Sequence, residues 1–239
     1  HVSGSKTGGD VLSGTPGANR IRGYGGDDTI YGGAANDDIY AGAGDDLVRG
    51  GIGDDTVTGG LGNDGLIGGA GNDSVEGFQG LDTLRGYGGD DTLNGVDPAM
   101  SVPTEAQELF GGYGNDELIG DSGDTLTGGE DTDSFIIETL QGTPLGDVLI
   151  RDFDPATETL TLRLDANVFG DPADDDFAID VETRDSADGL EVVVEGVVYA
   201  TLAGVTEAEE LTIDFETVND DLATPGQFIN AADGDDTVT

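Results

Sequence analysis

From Ser5 to Asn94 one aliphatic residue recurs every nine positions in a background of glycine and aspartate. The column holds Leu12, Ile21, Ile30, Ile39, Val48, Val57, Leu66, Val75, Leu84 and Leu93. A nine-residue spacing matches neither the period of a helix nor the sustained alternation of a long strand. It is the mark of a small unit that repeats and stacks on its neighbours. Numbered from the first glycine of each block, as in GYGGDDTIY over 23–31, the aliphatic stands at position eight. Positions seven to nine predict a very short strand, of which only the middle side chain points inward. The first six residues must reverse the chain, and glycine permits the backbone angles this needs. Two blocks then make one coil, crossing one sheet and returning across another. Stacked coils predict an all-β parallel β-roll with an aliphatic ladder inside.

The register breaks at 95–110, resumes in GGYGNDELI (111–119), loses one residue in GDSGDTLT (120–127) and closes with GGEDTDSFI (128–136). Pro98 and Pro103 oppose regular pairing, so 96–108 is expected as a loop bulging from one turn. The roll is therefore assigned to 1–136. From 137 glycine becomes sparse and the period ends. GDVLIRDFDPATETLTLRL (146–164) has two apolar runs around an Asp-Phe-Asp-Pro turn. FAIDVET (177–183), LEVVVEGVVYATL (190–202) and LTIDFETV (211–218) read as antiparallel strands, with a tight turn at Glu195-Gly196 and one helical turn at 206–210. These predict a β-rich capping domain over 137–220, since an open solenoid end needs covering. Residues 221–239 form a tail.

A core of one aliphatic per nine residues cannot offset the cost of ordering so glycine-rich a backbone, about 1–2 kcal/mol per residue. The missing free energy is sought at position six. It holds Asp10, Asn19, Asp28, Asp37, Asp46, Asp55, Asp64, Asp73, Asp82 and Asp91, then Asp116, Asp124 and Asp133 in the later blocks. Each turn adds backbone carbonyls, with Gly23, Gly32, Gly50, Gly59 and Gly68 as further candidate ligands. An all-oxygen set suits Ca²⁺ with its 6–8 oxygen ligands better than the tight octahedron of Mg²⁺. Softer metals are excluded by the absence of Cys and a single His, His1. Sites shared between two turns give a count of roughly eight to ten calcium ions. Without metal the stacked carboxylates repel, so the roll is expected to fold on binding calcium.

The formal net charge of -43, from 51 acidic and 8 basic residues, excludes nucleic acid as a natural partner. It also disfavours anionic membrane surfaces. No stretch reaches the length of an apolar membrane span, and no charged-plus-apolar signal segment opens the chain. The abrupt start at HVSGSKTGGD suggests a monomeric module of a larger protein. No HExxH or GxSxG motif occurs, and the adjacent Asp pairs read as turn formers and metal ligands, so no enzyme activity is expected in this chain. Tyr24, Phe78 and Tyr87, at position two where glycine is usual, read as surface packing more readily than as a carbohydrate-binding row. Asp152 and Asp154 either ligate a further calcium or cap a strand end.

The blocks resemble the RTX, or hemolysin-type, calcium-binding repeats. DVLIRDFDPATETLTLRL is similar, more loosely, to an element that follows such repeats in serralysin-type secreted proteins, with Glu158 and Thr161 standing where acidic residues are usual. The resemblance implies a right-handed roll and a secreted, extracellular bacterial protein. It further implies export through a type I secretion apparatus before calcium folds the chain. AADGDDTVT (231–239) reads either as the end of a secretion signal or as the start of another repeat, since GDDTVT also stands at 53–58. Two alternatives stay open: a calcium-binding module appended to a secreted protease, lipase or epimerase, and a structural or adhesive surface protein.

Overall fold

The computed structural model describes residues 1–97, 106–138, 147–165, 181–194, 196–205 and 213–218. In the repeats most strands cover six residues, beginning at position seven of one block and ending at position three of the next. The series runs β1 (Val2–Ser3), β2 (Val11–Ser13), β3 (Arg20–Gly25), β4 (Thr29–Ala34), β5 (Asp38–Ala43), β6 (Leu47–Ile52) and β7 (Thr56–Leu61). It continues through β8 (Gly65–Ala70), β9 (Ser74–Gln79), β10 (Thr83–Gly88), β11 (Thr92–Asn94), β12 (Glu108–Tyr113), β13 (Glu117–Gly120), β14 (Thr125–Glu130) and β15 (Ser134–Glu138).

The three-residue strand expected from the sequence is therefore too short. The reason lies in the pleat. In β4 both Ile30 and Gly32 face inward, so each strand has two interior positions, and the second carries no side chain to announce it. Only positions four to six, such as Gly26, Asp27 and Asp28, lie between strands.

Successive strands alternate between two parallel sheets. Odd-numbered strands β1 to β15 form one and even-numbered strands β2 to β14 the other, giving a solenoid of about seven turns. Register is uniform: Ile21 pairs with Ile39 and Ile39 with Val57, an 18-residue step per coil. The aliphatic column from Ile21 to Leu126 is almost wholly buried. The insertion does not break it, because Leu109 of β12 pairs with Leu84 on one side and Leu126 on the other.

Both sheets then continue past the repeats. β16 (Val148–Ile150) and β17 (Thr159–Asp165) pair parallel with β14 and β15. β20 (Val197–Leu202) adds parallel to β16, and β21 (Ile213–Val218) parallel to β17. Antiparallel pairing is confined to β18 (Val181–Asp185), β19 (Leu190–Val194) and β20. The antiparallel reading thus holds for the β18–β19–β20 meander and is corrected for β21, which extends a parallel sheet. Val194 faces Val197 across a tight hairpin, and Gly196 takes the positive φ of 80° that the turn requires. One apolar cluster runs from Leu12 to Ile213, with members on β2 to β17 and on β19 to β21. Residues 98–105 of the expected loop, 177–180, Glu195, the helical turn at 206–210 and the 221–239 tail lie outside the described residues. Among those described, no helix is long and apolar enough to cross a membrane.

Candidate metal sites along the turns

Because blocks alternate between sheets, the position-six residues separate into two rows, one on each edge of the roll. One row carries Asp10, Asp28, Asp46, Asp64, Asp82 and Asp124; the other carries Asn19, Asp37, Asp55, Asp73, Asp91, Asp116 and Asp133. From Asp28 onward these aspartates are buried, at most 3% exposed. Burying a carboxylate is costly unless its oxygens are satisfied.

One oxygen of each is satisfied by the protein. Asp46 Oδ1 accepts from the Asp28 N–H at 2.7 Å, Asp64 Oδ1 from Asp46 at 2.8 Å, Asp55 Oδ1 from Asp37 at 2.7 Å and Asp116 Oδ1 from Asp91 at 2.8 Å. Each carboxylate so reaches back one coil. In most of them the second oxygen has no such partner. Oδ2 of Asp28, Asp37, Asp46, Asp55, Asp64, Asp73, Asp91, Asp116 and Asp133 is buried without a hydrogen bond.

These oxygens occupy the space left by the inward glycine at position one. A methyl placed on Gly32 would lie 2.6 Å from Asp37 Oδ2 and 2.5 Å from the Gly50 carbonyl oxygen. On Gly50 it would lie 2.5 Å from Asp55 Oδ2 and 2.7 Å from the Gly68 carbonyl oxygen. The same carboxylate crowding occurs at Gly23, Gly59 and Gly68. Position one therefore favours glycine because a carboxylate lies over it. Ala41, fully buried, is the exception inside the array.

Burial pushes the Asp28, Asp46, Asp55, Asp64, Asp73, Asp91, Asp116 and Asp133 carboxyls upward, and like charges along the rows add to it while the amide hydrogen bonds oppose it. Asp46, Asp55, Asp73 and Asp116 rise to about 6, Asp91 to about 7 and Asp64 to about 8. A row that resists ionisation and holds unmatched oxygens is short of cations. Among the described residues no three His, Cys, Asp or Glu side chains gather into a metal-holding group. A cation here would take one carboxylate per turn and complete its shell with carbonyls such as Gly50 O and Gly68 O. That hard, all-oxygen donor set fits calcium.

The row ends differ. Asp10 is partly exposed, and its Oδ2 accepts from the Ser5 N–H at 2.5 Å. Asn19 spends its amide on Thr15 and on Asp37 Oδ1. Asp124, in the shortened block, accepts the Asp121 N–H on Oδ2 at 2.9 Å.

Position five forms a second ladder with the opposite direction. Asp27 Oδ1 accepts from the Asp45 N–H at 3.0 Å, Asp45 Oδ1 from Asn63 at 2.8 Å and Asn63 Oδ1 from Leu81 at 2.9 Å. These exposed side chains reach forward one coil and support the turns.

Sequence reasoning missed one residue of the row. Gln107, assigned to the loop, stands in register between Asp82 and Asp124 and is 1% exposed. Counting back from Leu109 would have found it at position six. The two oxygens of Asp152 accept the Gly128 and Gly129 N–H groups at 3.0 Å each. Asp154 accepts from the Ala156 N–H at 3.0 Å, while its own N–H donates to Glu158 at 2.8 Å.

Fold and rows together define a calcium-binding parallel β-roll. The family model for the RTX calcium-binding nonapeptide repeat (four copies) matches residues 6–39, 31–66 and 66–93. Residues 6–93 are thus similar to the RTX calcium-binding nonapeptide repeat. The match does not extend to 147–164. No curated protein matches the chain.

Proposed function

We propose that this chain is a calcium-responsive folding module of an exported protein, disordered before it meets calcium and rolled afterwards. The carrying observation is the row of buried, unpartnered Asp Oδ2 atoms, which at Asp37, Asp55, Asp64 and Asp73 face the first glycine of their own block. A fold that leaves so many carboxylate oxygens unmatched is stable only with ions bound to it. About eight to ten calcium ions along the two rows match the 6–8 oxygens each requires. A cysteine-free chain of net charge -43, unfolded at low calcium, suits a type I secretion channel and an extracellular destination. The strands beyond 137 cap the roll, with Asp152 fastening its last turn.

The test is far-UV circular dichroism of the chelated protein during calcium titration, with magnesium as control. A cooperative gain of β-structure with calcium alone is expected. A chelated protein already fully folded would defeat the folding role.

A further inference from the structure

The family match stops at residue 93, and the 95–110 block departs from the repeat in both length and chemistry. Its backbone nonetheless keeps the row geometry. The Gln107 N–H donates to Asp124 Oδ1 at 2.7 Å, and the Gln107 carbonyl accepts from the Thr125 N–H at 2.9 Å. The same two bonds recur at position six elsewhere: the Asp28 N–H donates to Asp46 Oδ1, and the Asp28 carbonyl accepts from Leu47.

Glutamine differs from aspartate by one methylene and by charge. Its Nε2 donates to the Phe78 carbonyl at 3.4 Å, which turns Oε1 into the roll. Oε1 is buried there without a hydrogen-bond partner. A methyl on Gly77 would lie 2.9 Å from Gln107 Oε1 and 2.5 Å from Asp82 Oδ2. A methyl on Gly95 would lie 3.1 Å from Gln107 Oε1 and 3.3 Å from Asp124 Oδ2. The longer side chain thus carries its oxygen between the carboxylates of the coils before and after it.

We propose that Gln107 Oε1 is a calcium ligand, bridging Asp82 and Asp124 so that the row passes through the insertion unbroken. An amide oxygen is an ordinary calcium ligand, and one neutral member lowers the charge of this stretch. The site rests on the calcium reading above and adds to it a member outside the repeat pattern.

Anomalous scattering from crystals of the calcium-loaded chain tests this directly. A calcium peak within about 2.3–2.6 Å of Gln107 Oε1 is expected. Peaks on the aspartate rows with none at Gln107 overturn the inference and leave the calcium reading standing. Calcium absent from every row overturns the reading itself. In solution, Gln107→Leu is expected to bind fewer calcium ions than the parent and Gln107→Glu to restore the count. An unchanged count in a folded Gln107→Leu overturns the inference, and if that variant fails to fold the crystal decides alone.

Discussion

A position-six aspartate such as Asp64 divides its two oxygens between two tasks. Oδ1 holds the amide of the preceding coil, and Oδ2 is left facing its own glycine. Asn at the same place keeps the size and one acceptor but removes the charge. For Asp64→Asn we expect opposite effects in the two states. The chelated protein gains stability, because a buried carboxylate that resists ionisation is gone. The calcium-loaded protein loses affinity, by about 1–3 kcal/mol as for other lost partners of a charged group. The residual β-structure of the chelated chains by circular dichroism, together with their calcium titration, checks both signs, and a loss in both would contradict the division of labour. These aspartates were legible in the sequence because repetition turned them into a column. Gln107 was not, because an insertion of uncertain phase hid its position and its residue type broke the pattern.

At the scale of the strand, the sequence marks which residues alternate but not which neighbour they pair with. β19 and β20 were recognisable from their β-branched runs, and their hairpin from Gly196. That β21 lies parallel to β17 depends on long-range packing that a local pattern does not encode. Strand length was misjudged for a related reason: an inward glycine looks like turn in a sequence and behaves as strand in the roll. The junction after the repeats rests on Asp152, whose carboxylate closes the Gly128 and Gly129 amides, and on Phe153 packed edge-on against Phe135 at 5.8 Å. Asp152→Ala leaves both amides without that acceptor and is expected to cost about 1–3 kcal/mol. A lowered urea midpoint of the calcium-loaded chain, larger than that for the exposed neighbour Asp154→Ala, is the corresponding readout.

Over the whole molecule the raised carboxyl pKa values impose a pH dependence. An unfolded Asp titrates near 3.8, whereas folding raises Asp46 to about 6 and Asp64 to about 8. Below the lower value both states hold the proton and the full contribution to stability is present. As pH rises through the folded values the folded state must give up protons it binds more tightly, and stability is lost. The chelated protein is thus expected to be more ordered near pH 4 than near pH 8. Calcium competes with those protons, so its affinity rises across the same window. Circular dichroism against pH, with chelator and with calcium, follows both trends; β-structure growing with pH in chelator would contradict them.

The alternation of blocks between two sheets also makes the array a matter of parity. The 16-residue block at 95–110 and the eight-residue block at 120–127 each count as one crossing, so length can vary while the order of faces is kept. Removing a single nonapeptide does the reverse. It preserves every local spacing yet turns all that follows by half a revolution about the axis. The outer row Tyr31, Arg49, Ile67, Arg85 and Phe110, now on one side, would be divided between opposite sides. Gain or loss of repeats that keeps the two faces distinct therefore proceeds in steps of eighteen residues.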